Sequence, residues 1–300
     1  MILKQKHLKT LPLDLMILPG LIVIFIFHYI PMGGIVIAFE KFLPSRGIFN
    51  SEWIGLDNFR YMASLPATFQ VIWNTVFISL LKIIVGRIVP ITIALLLNEV
   101  GSSFIKRGVQ TMIYLPHFLS WVILGGILVD ILSPSTGFVN QIIGGLGLQE
   151  IFFLGDKNWF PYTLVLTNIW KEAGFATIVY LAAITSIDVS QYESATIDGA
   201  GRIKQAWHIT LPGMLPIIIL TSVLSLGSIL EGGFDQVFNL YSPMVYSSGD
   251  ILGTFVYRLG LVDFQFGVAT AVGLFQSGVS FILISLSYFL AYKLANYRIF

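Results

Sequence analysis

The hydrophobic residues of the chain fall into six long runs, separated by polar or glycine-rich segments. A helix needs about 17 to 25 mostly apolar residues to cross the hydrocarbon core of a bilayer. The pattern therefore predicts six transmembrane helices, near Leu15–Phe39, Val71–Leu97, Val109–Leu132, Tyr162–Thr185, Met214–Leu230 and Gly267–Tyr292. The first run is too long and too rich in proline for the core of a signal peptide, so we expect it to be retained.

The composition supports a membrane protein and excludes several other classes. Charged residues make up 11% of the chain and hydrophobic residues 56%, with a mean hydropathy of +0.83. Soluble globular proteins carry about a quarter charged residues. With 17 basic and 16 acidic residues, the chain has no positive excess for binding nucleic acid. The absence of cysteine excludes a disulfide scaffold and thiolate metal ligands.

Neither a metal site nor a catalytic centre is predicted. No nucleophile and base stand in a recognisable arrangement. The four histidines show no spacing typical of metal ligands, and we expect each of them to be structural: His7, His28, His117 and His208.

Lysine and arginine outside the predicted helices indicate the orientation, because cytoplasmic loops carry the excess of these residues. With the N-terminus inside, nine are cytoplasmic: Lys4, Lys6, Lys9, Lys106, Arg107, Arg202, Lys204, Lys293 and Arg298. Five are external: Lys41, Arg46, Arg60, Lys157 and Arg258. Both termini are therefore predicted to be cytoplasmic.

The longest predicted cytoplasmic loop, residues 186–213, has a sequence pattern that predicts two short helices. Ser190 and Glu193 have the spacing of a capping box, which predicts the start of a short helix. Gly199 and Gly201 are suited to end it, and Pro212 is expected to close a second short helix over 202–209. The result is a helical elbow, with apolar contacts expected from its hydrophobic residues: Tyr192, Ala195, Ile197 and Trp207.

The spacing in this loop resembles the EAA loop of ABC importer permeases. Glu193-Ser194-Ala195 is followed after three residues by Gly199, after nine more by Ile209, and then by Leu211-Pro212. Only Ser194 departs from the pattern, where alanine is usual. Glu193 and Gly199 could serve merely to start and stop a helix, but those roles alone do not explain so long and apolar a cytoplasmic loop.

The resemblance implies the fold, the partners and the coupling residues. It implies an all-α membrane protein of six transmembrane helices with a cytoplasmic coupling-helix elbow, forming a single permease domain over residues 1–300. The partners are a second permease subunit, a cytoplasmic ATPase dimer that binds ATP and Mg, and an external solute-binding protein. This chain has no Gly-Lys pair and hence no Walker A loop, so it needs no cofactor of its own. The implied coupling residues are Glu193, Ala195, Asp198, Gly199, Ile209, Leu211 and Pro212.

Two further segments resemble the carbohydrate-uptake branch of this family, which includes the maltose type. They are Trp53-Ile54-Gly55-Leu56-Asp57-Asn58-Phe59 and Asn168-Ile169-Trp170-Lys171-Glu172-Ala173-Gly174. The resemblance implies an oligosaccharide as the substrate and a bacterial cell membrane as the location.

Polar residues inside the fourth predicted helix are candidates for the substrate path. Lys171 lies nine residues beyond Tyr162, about 14 Å along a helix and so near mid-membrane. A charge at that depth needs a partner or a wet cavity. This stripe either binds a polyhydroxylated ring or only holds helices together. The candidates are Asn168, Trp170, Lys171, Glu172 and Tyr180, with Lys82 of the second helix.

Four charged residues outside the fourth predicted helix carry expectations of their own. Lys82 is expected to pair with a carboxylate on this or a partner subunit, and Arg87 to reach the inner headgroups as an anchor. Gly232-Gly233 should interrupt the helical structure after the fifth helix. Glu231, Asp235 and Asn239 are then expected either to line a vestibule or to lie in a solvated loop.

We expect, in sum, a membrane-embedded permease subunit of an ATP-driven importer of oligosaccharides. One alternative within the class is an importer of another solute, such as amino acids or polyamines. An ion-coupled secondary transporter that uses Lys82, Lys171 and Glu172 as a relay is the alternative from another class.

Overall fold

The computed structural model describes residues 15–295. Four of the basic residues in the orientation count, Lys4, Lys6, Lys9 and Arg298, lie outside the described residues, as does His7. Most of the described chain is helical. It also contains a two-stranded antiparallel hairpin, in which β1 (Glu40–Lys41) pairs with β2 (Glu52–Trp53), with Glu40 opposite Trp53.

The helices follow one another along the chain with short connections. In order they are α1 (Leu15–Phe39), α2 (Asp57–Ser64), α3 (Pro66–Glu99), α4 (Ser103–Tyr114, extended by a 3-10 turn over Leu115–Phe118), α5 (Trp121–Ile131), α6 (Phe138–Gly145), α7 (Phe160–Thr185), α8 (Val189–Ile197), α9 (Arg202–Gly227), α10 (Phe234–Leu240), α11 (Tyr246–Gly249), α12 (Leu252–Tyr257) and α13 (Phe266–Ala295).

Four of these helices are by themselves long and apolar enough to cross a membrane. They are α1, α3, α9 and the segment Phe266–Phe289 of α13. Two bent pairs meet the criterion together: Ser103–Phe118 with α5, bent by 105°, and α7 with α8, bent by 70°. The described chain therefore holds four spans, or up to six if each bent pair is counted as one.

The predicted continuous third span, Val109–Leu132, is wrong in one respect: the chain breaks sharply inside it. Leu119 and Ser120 are extended, and the Ser120 hydroxyl accepts the Ile123 N–H at 3.3 Å as the cap of α5. Pro116, which has no N–H, lies in the preceding 3-10 turn. An unbroken apolar run conceals such a break, because hydrophobicity alone does not record a cap.

The predicted short helix closed by Pro212 is also wrong, since α9 runs through this residue to Gly227. A π turn over Ala206–Thr210 interrupts the regular pattern, and the Leu211 N–H donates to the Ala206 carbonyl. Pro212 then falls at the start of the next α-helical segment. There its missing N–H removes no regular hydrogen bond.

The contacts divide the chain into two compact units. The first consists of the chain up to Ser64 together with Arg258–Leu274. In it the Asn58 Nδ2 donates to the carbonyls of Ala38 at 2.9 Å and Glu40 at 3.0 Å. Phe39 stacks on Trp53 with ring centroids 5.6 Å apart. Two residues of the first sugar-branch motif, Trp53 and Asn58, thus hold the hairpin.

The second unit comprises Leu65–Tyr257 and the chain from Phe275 onward. Its centre is the packing of α3 against α7. One apolar cluster there includes Ile78, Leu164, Val237 and Ile251, and another surrounds the fully buried Tyr180. This packing holds the polar residues of α3 and α7 in fixed positions.

Candidate coupling surface and translocation groove

The 186–213 segment forms a short helix, a tight turn and the beginning of α9. The α8 helix is capped by Asp188, whose carboxylate accepts the Ser190 N–H at 3.0 Å. The predicted capping box is therefore wrong, since the cap lies two residues before Ser190. The backbone hydrogen bond from Ser190 lowers the pKa of the Asp188 carboxyl, because it stabilises the charged form.

Gly199 turns the chain at the end of α8, as predicted. Its φ is +75°, in the left-handed region that glycine adopts without steric cost. Just beyond it, the Ala200 N–H returns to the Ala195 carbonyl at 2.8 Å. Asp198 is the exposed C-cap of α8. The turn therefore depends on a backbone conformation that other residues adopt only with strain.

Side-chain hydrogen bonds brace the two arms of the turn. The Gln205 Nε2 donates to the Thr196 hydroxyl and to the Ala200 carbonyl, each at 3.0 Å. The hydroxyls of Tyr192 and Thr210 are 3.0 Å apart. In addition, Arg202 lies 3.1 Å from Glu99 at the end of α3. These contacts fix the angle between α8 and α9.

The remaining motif residues differ in exposure. Ala195, Ile209 and Leu211 are half-buried, whereas Glu193 and Pro212 are exposed. Among the described residues, the Glu193 carboxylate has no hydrogen-bond partner.

An apolar surface on this segment faces away from the rest of the chain. Ile197 is 87% exposed, Ile203 77% and Trp207 66%. The expected packing of Ile197 and Trp207 inside the segment is therefore wrong. Large apolar side chains exposed on a segment outside the spans are typical of a surface that binds a partner.

Lys171 and Glu172 of α7 join a network with the break between α4 and α5. The Lys171 Nζ donates to the His117 carbonyl at 2.7 Å and lies 3.0 Å from the Glu172 carboxylate. The other oxygen of Glu172 is 2.7 Å from His117 Nδ1, and the His117 ring stacks on Phe175 at 4.0 Å. Lys171 is 6% exposed, and its contacts are those of a group that links helices.

The other predicted residues of α7 point in different directions. Tyr180 is 1% exposed, and its hydroxyl lies 3.1 Å from that of Thr221 in α9. Trp170 is 50% exposed. Asn168 lines two of the cavities described next. The structure therefore brings Asn168, Glu172 and Lys82 together, and separates them from Trp170 and Tyr180.

Three adjoining cavities in the second unit form a groove whose lining includes several polar and charged side chains. The largest, about 430 Å³, is lined by Trp121, Glu231, Asp235 and Gln276 among others. The second, about 220 Å³, contains Lys82, Arg87, Asn168, Glu172 and Ser228. The third, about 170 Å³, shares Lys82, Asn168 and Ser228 with the second, and Glu231 with the first. The predicted vestibule residues Glu231 and Asp235 thus lie on this groove.

The two cations of α3 bind neutral acceptors. The Lys82 Nζ donates to the Gly232 carbonyl at 2.9 Å. This carbonyl lies in the non-helical segment after α9. There Gly232 and Gly233 have positive φ values of +65° and +81°, as expected from the glycine pair. Within the described residues Lys82 has no carboxylate within ion-pair distance, so the expected pairing is not made in this subunit.

Arg87 binds inside the protein and does not reach outward as an anchor, so that expectation is wrong. Its guanidinium donates to the Thr221 carbonyl at 3.0 Å and to the Ser225 hydroxyl. The buried Nε of Arg87 has no hydrogen-bond partner among the described residues. Arg87 lies about one-third of the helix length from the end of α3. From the sequence alone, a basic residue at this position could either bind lipid headgroups or bind polar groups of a neighbouring helix.

Sequence reasoning missed His117 as a partner of the α7 charges and Ser225 as a partner of Arg87. His117 follows Pro116 and so marks the break, but its distance from Glu172 along the chain hides their contact. Ser225 lies in an apolar helix together with Thr221 and Ser222, so the sequence did not single it out among these hydroxyl groups.

Residues 86–300, more than half of the chain, match a family described as the inner membrane component of binding-protein-dependent transport systems. The chain belongs to this family. It is 42% identical over its whole length to the polygalacturonan/rhamnogalacturonan transport system permease protein YteP of Bacillus subtilis (strain 168), covering 92% of that protein.

Two solved structures resemble this permease closely. One is a bacterial ABC transporter involved in the import of the acidic polysaccharide alginate, with a TM-score of 0.90, 40% identity, and coverage of 98% of this chain and 99% of that one. The other is a bacterial alginate ABC transporter in complex with an alginate pentasaccharide-bound periplasmic protein, with a TM-score of 0.90, 38% identity and the same coverage. The chain is accordingly a transport subunit of an ABC importer and has no ATPase domain of its own.

Proposed function

We propose that the chain is one of two permease subunits that together carry an oligosaccharide across the cell membrane, with both termini in the cytoplasm. Residues 1–300 act as a single permease domain with six spans, in which α4 and α5 together form the third span, α7 forms the fourth, and α8 lies outside the membrane. An external binding protein delivers the substrate, and a cytoplasmic ATPase dimer that binds ATP and Mg supplies the energy.

The exposed apolar surface of the 186–213 segment carries the coupling part of the proposal. Three apolar side chains are exposed on a turn that hydrogen bonds hold in place: Ile197, Ile203 and Trp207. A rigid element that binds another protein requires such an arrangement. Glu193 adds an exposed carboxylate without a partner in the described residues. We assign these residues, with Ala195, Asp198, Gly199, Ile209, Leu211 and Pro212, to contact with the ATPase.

The groove supports the substrate part of the proposal. Its lining offers amide groups from Asn168 and Gln276, a hydroxyl group from Ser228 and an aromatic ring from Trp121. A polyhydroxylated sugar needs such donors, acceptors and flat apolar faces. The relative from Bacillus subtilis and the alginate transporters are described as acting on polysaccharides, and the same class of substrate fits this groove.

Reconstitution of the complete importer tests the proposal. Purified permease pair, ATPase and binding protein are placed in liposomes, and uptake of radiolabelled oligosaccharides is compared with uptake of amino acids and polyamines. We expect oligosaccharide uptake that requires ATP, the ATPase and the binding protein. Uptake that persists without the ATPase and follows an ion gradient, or uptake of amino acids or polyamines only, would contradict the proposal.

A further inference from the structure

Two cations line the same cavity without a matching carboxylate. Lys82 and Arg87 both face the cavity of about 220 Å³. Lys82 donates to the Gly232 carbonyl, and Arg87 donates to the Thr221 carbonyl and the Ser225 hydroxyl, all of them neutral groups. Charge that lies inside a membrane helix is costly unless water or an anion meets it. Lys82 lies near the middle of the 34-residue α3, where an external headgroup is far away.

The acidic residues of the groove do not neutralise these cations. Glu172 lines the same cavity, but both of its oxygens are taken up by Lys171 at 3.0 Å and His117 at 2.7 Å. Glu231 and Asp235 line the largest cavity and, among the described residues, form no ion pair with either cation. Glu231 and Asp235 therefore lie at one end of the groove and Arg87 at the other, while Lys82 lies between them and shares the third cavity with Glu231.

This arrangement discriminates between positions for a bound anion. A carboxylate in the largest cavity would face Glu231 and Asp235, which repel it. The same carboxylate beside Lys82 and Arg87 would accept charge-assisted hydrogen bonds, which are about twice as strong as neutral ones. Asn168 and Ser228 line the cavity beside Lys82 and can bind sugar hydroxyls.

We propose that Lys82 and Arg87 form a carboxylate-binding subsite that selects acidic oligosaccharides, those built from uronic acids, over neutral ones. The inference rests on the proposed function and deepens it by naming the substrate class and the residues that read its charge. A neutral sugar can occupy the groove but leaves both cations without an anionic partner.

Direct binding to the purified importer tests the subsite. The permease pair with its ATPase is placed in phosphatidylcholine nanodiscs, so that no anionic lipid competes. Trigalacturonate and its neutral methyl ester are titrated by calorimetry in the absence of the binding protein. We expect the wild type to prefer the acid. Lys82→Gln and Arg87→Gln should each lower the acid-to-ester preference about tenfold, the factor at the weaker end for a charged hydrogen bond.

Three further variants separate charge recognition from structural damage. Lys82→Arg keeps the charge and should keep most of the preference, and Glu231→Gln removes a repelling charge and should raise the affinity for the acid. Lys293→Gln, an exposed lysine near the end of α13, should change nothing. Acid and ester are measured on the same sample. A folding defect therefore affects the binding of both ligands equally and leaves the ratio of their affinities unchanged.

The outcomes distinguish this inference from the proposed function. Equal binding of acid and ester by the wild type, or an unchanged ratio in both Gln variants, overturns the subsite. If the reconstituted importer still takes up oligosaccharides with ATP in that case, the proposed function stands. If it takes up no oligosaccharide at all, the proposed function itself fails.

Discussion

Replacing Gly199 with serine tests whether the turn after α8 is the element that the ATPase binds. At a φ of +75° a serine pays the left-handed penalty of about 1–2 kcal/mol. A Cβ at this position would meet no atom within 4 Å, so steric clashes add nothing to that penalty. If only the formed turn binds the ATPase, the apparent affinity should fall by up to about 5- to 30-fold, the full penalty being reached where the turn is only marginally stable before the ATPase binds.

The same substitution two residues later provides the matched control. Gly201 has a φ of −69° and also has open space around a Cβ. It is the N-cap of α9, a position where serine is favoured. We therefore expect Gly201→Ser to bind the ATPase as the wild type does.

The assay is titration of the nanodisc-embedded permease pair with the purified ATPase, followed by the ATPase activity that the loaded binding protein stimulates. Both variants should reach the membrane in wild-type amounts, since neither glycine lies in a span. Wild-type affinity in Gly199→Ser would refute the role of the turn. Equal losses in both variants would show that the ATPase senses an added side chain and not the backbone conformation.

Three further predictions concern packing, capping and charge. Gly174→Ala should destabilise the subunit by about 1–3 kcal/mol, because its Cβ would lie 1.9 Å from a backbone oxygen of α4; thermal unfolding in detergent measures this, and Gly126→Ala, with open space around it, should show no loss. Asp188 has a lowered pKa because it accepts the Ser190 N–H, so it stabilises α8 above about pH 4 and loses this effect as the pH falls through its folded-state pKa. The hydrogen-exchange protection factors of the α8 amides should therefore fall at low pH in the wild type but not in Asp188→Asn; pH-independent protection factors in the wild type would contradict the assignment. Glu172→Gln should lower stability by about 1–3 kcal/mol while leaving the KM for substrate unchanged in the folded fraction, and a raised KM would place this residue on the substrate path instead.

The sequence pattern located the long apolar helices, because a run of about 20 hydrophobic residues is most often a membrane-spanning helix. It also located the turn at Gly199 and the break at Gly232-Gly233, where glycine is required by the backbone. It did not locate the cap of α8. Ser190 and Glu193 satisfied the capping-box spacing, but Asp188 competed successfully for the same amide.

The contacts of the charged residues could not be predicted from the sequence for a different reason. The position of His117 beside Glu172 depends on where the break between α4 and α5 falls, and the position of Gly232 beside Lys82 depends on the packing of α3 against the end of α9. Neither depends on local sequence. A charged residue inside a span can therefore be recognised from the sequence as needing a partner, but the partner cannot be named.

The π turn in α9 has a mechanical consequence. Because the helix is not interrupted at Pro212, a single helix of 26 residues, Arg202–Gly227, about 39 Å long, runs from the turn after α8 to a point five residues before Gly232. A tilt of about 5° imposed at one end would move the other end by about 3 Å, taking the helix length from the helical rise. That displacement equals the length of the hydrogen bond between Lys82 and Gly232, 2.9 Å, so a small tilt of α9 that residues 228–232 follow would be large enough to break this contact.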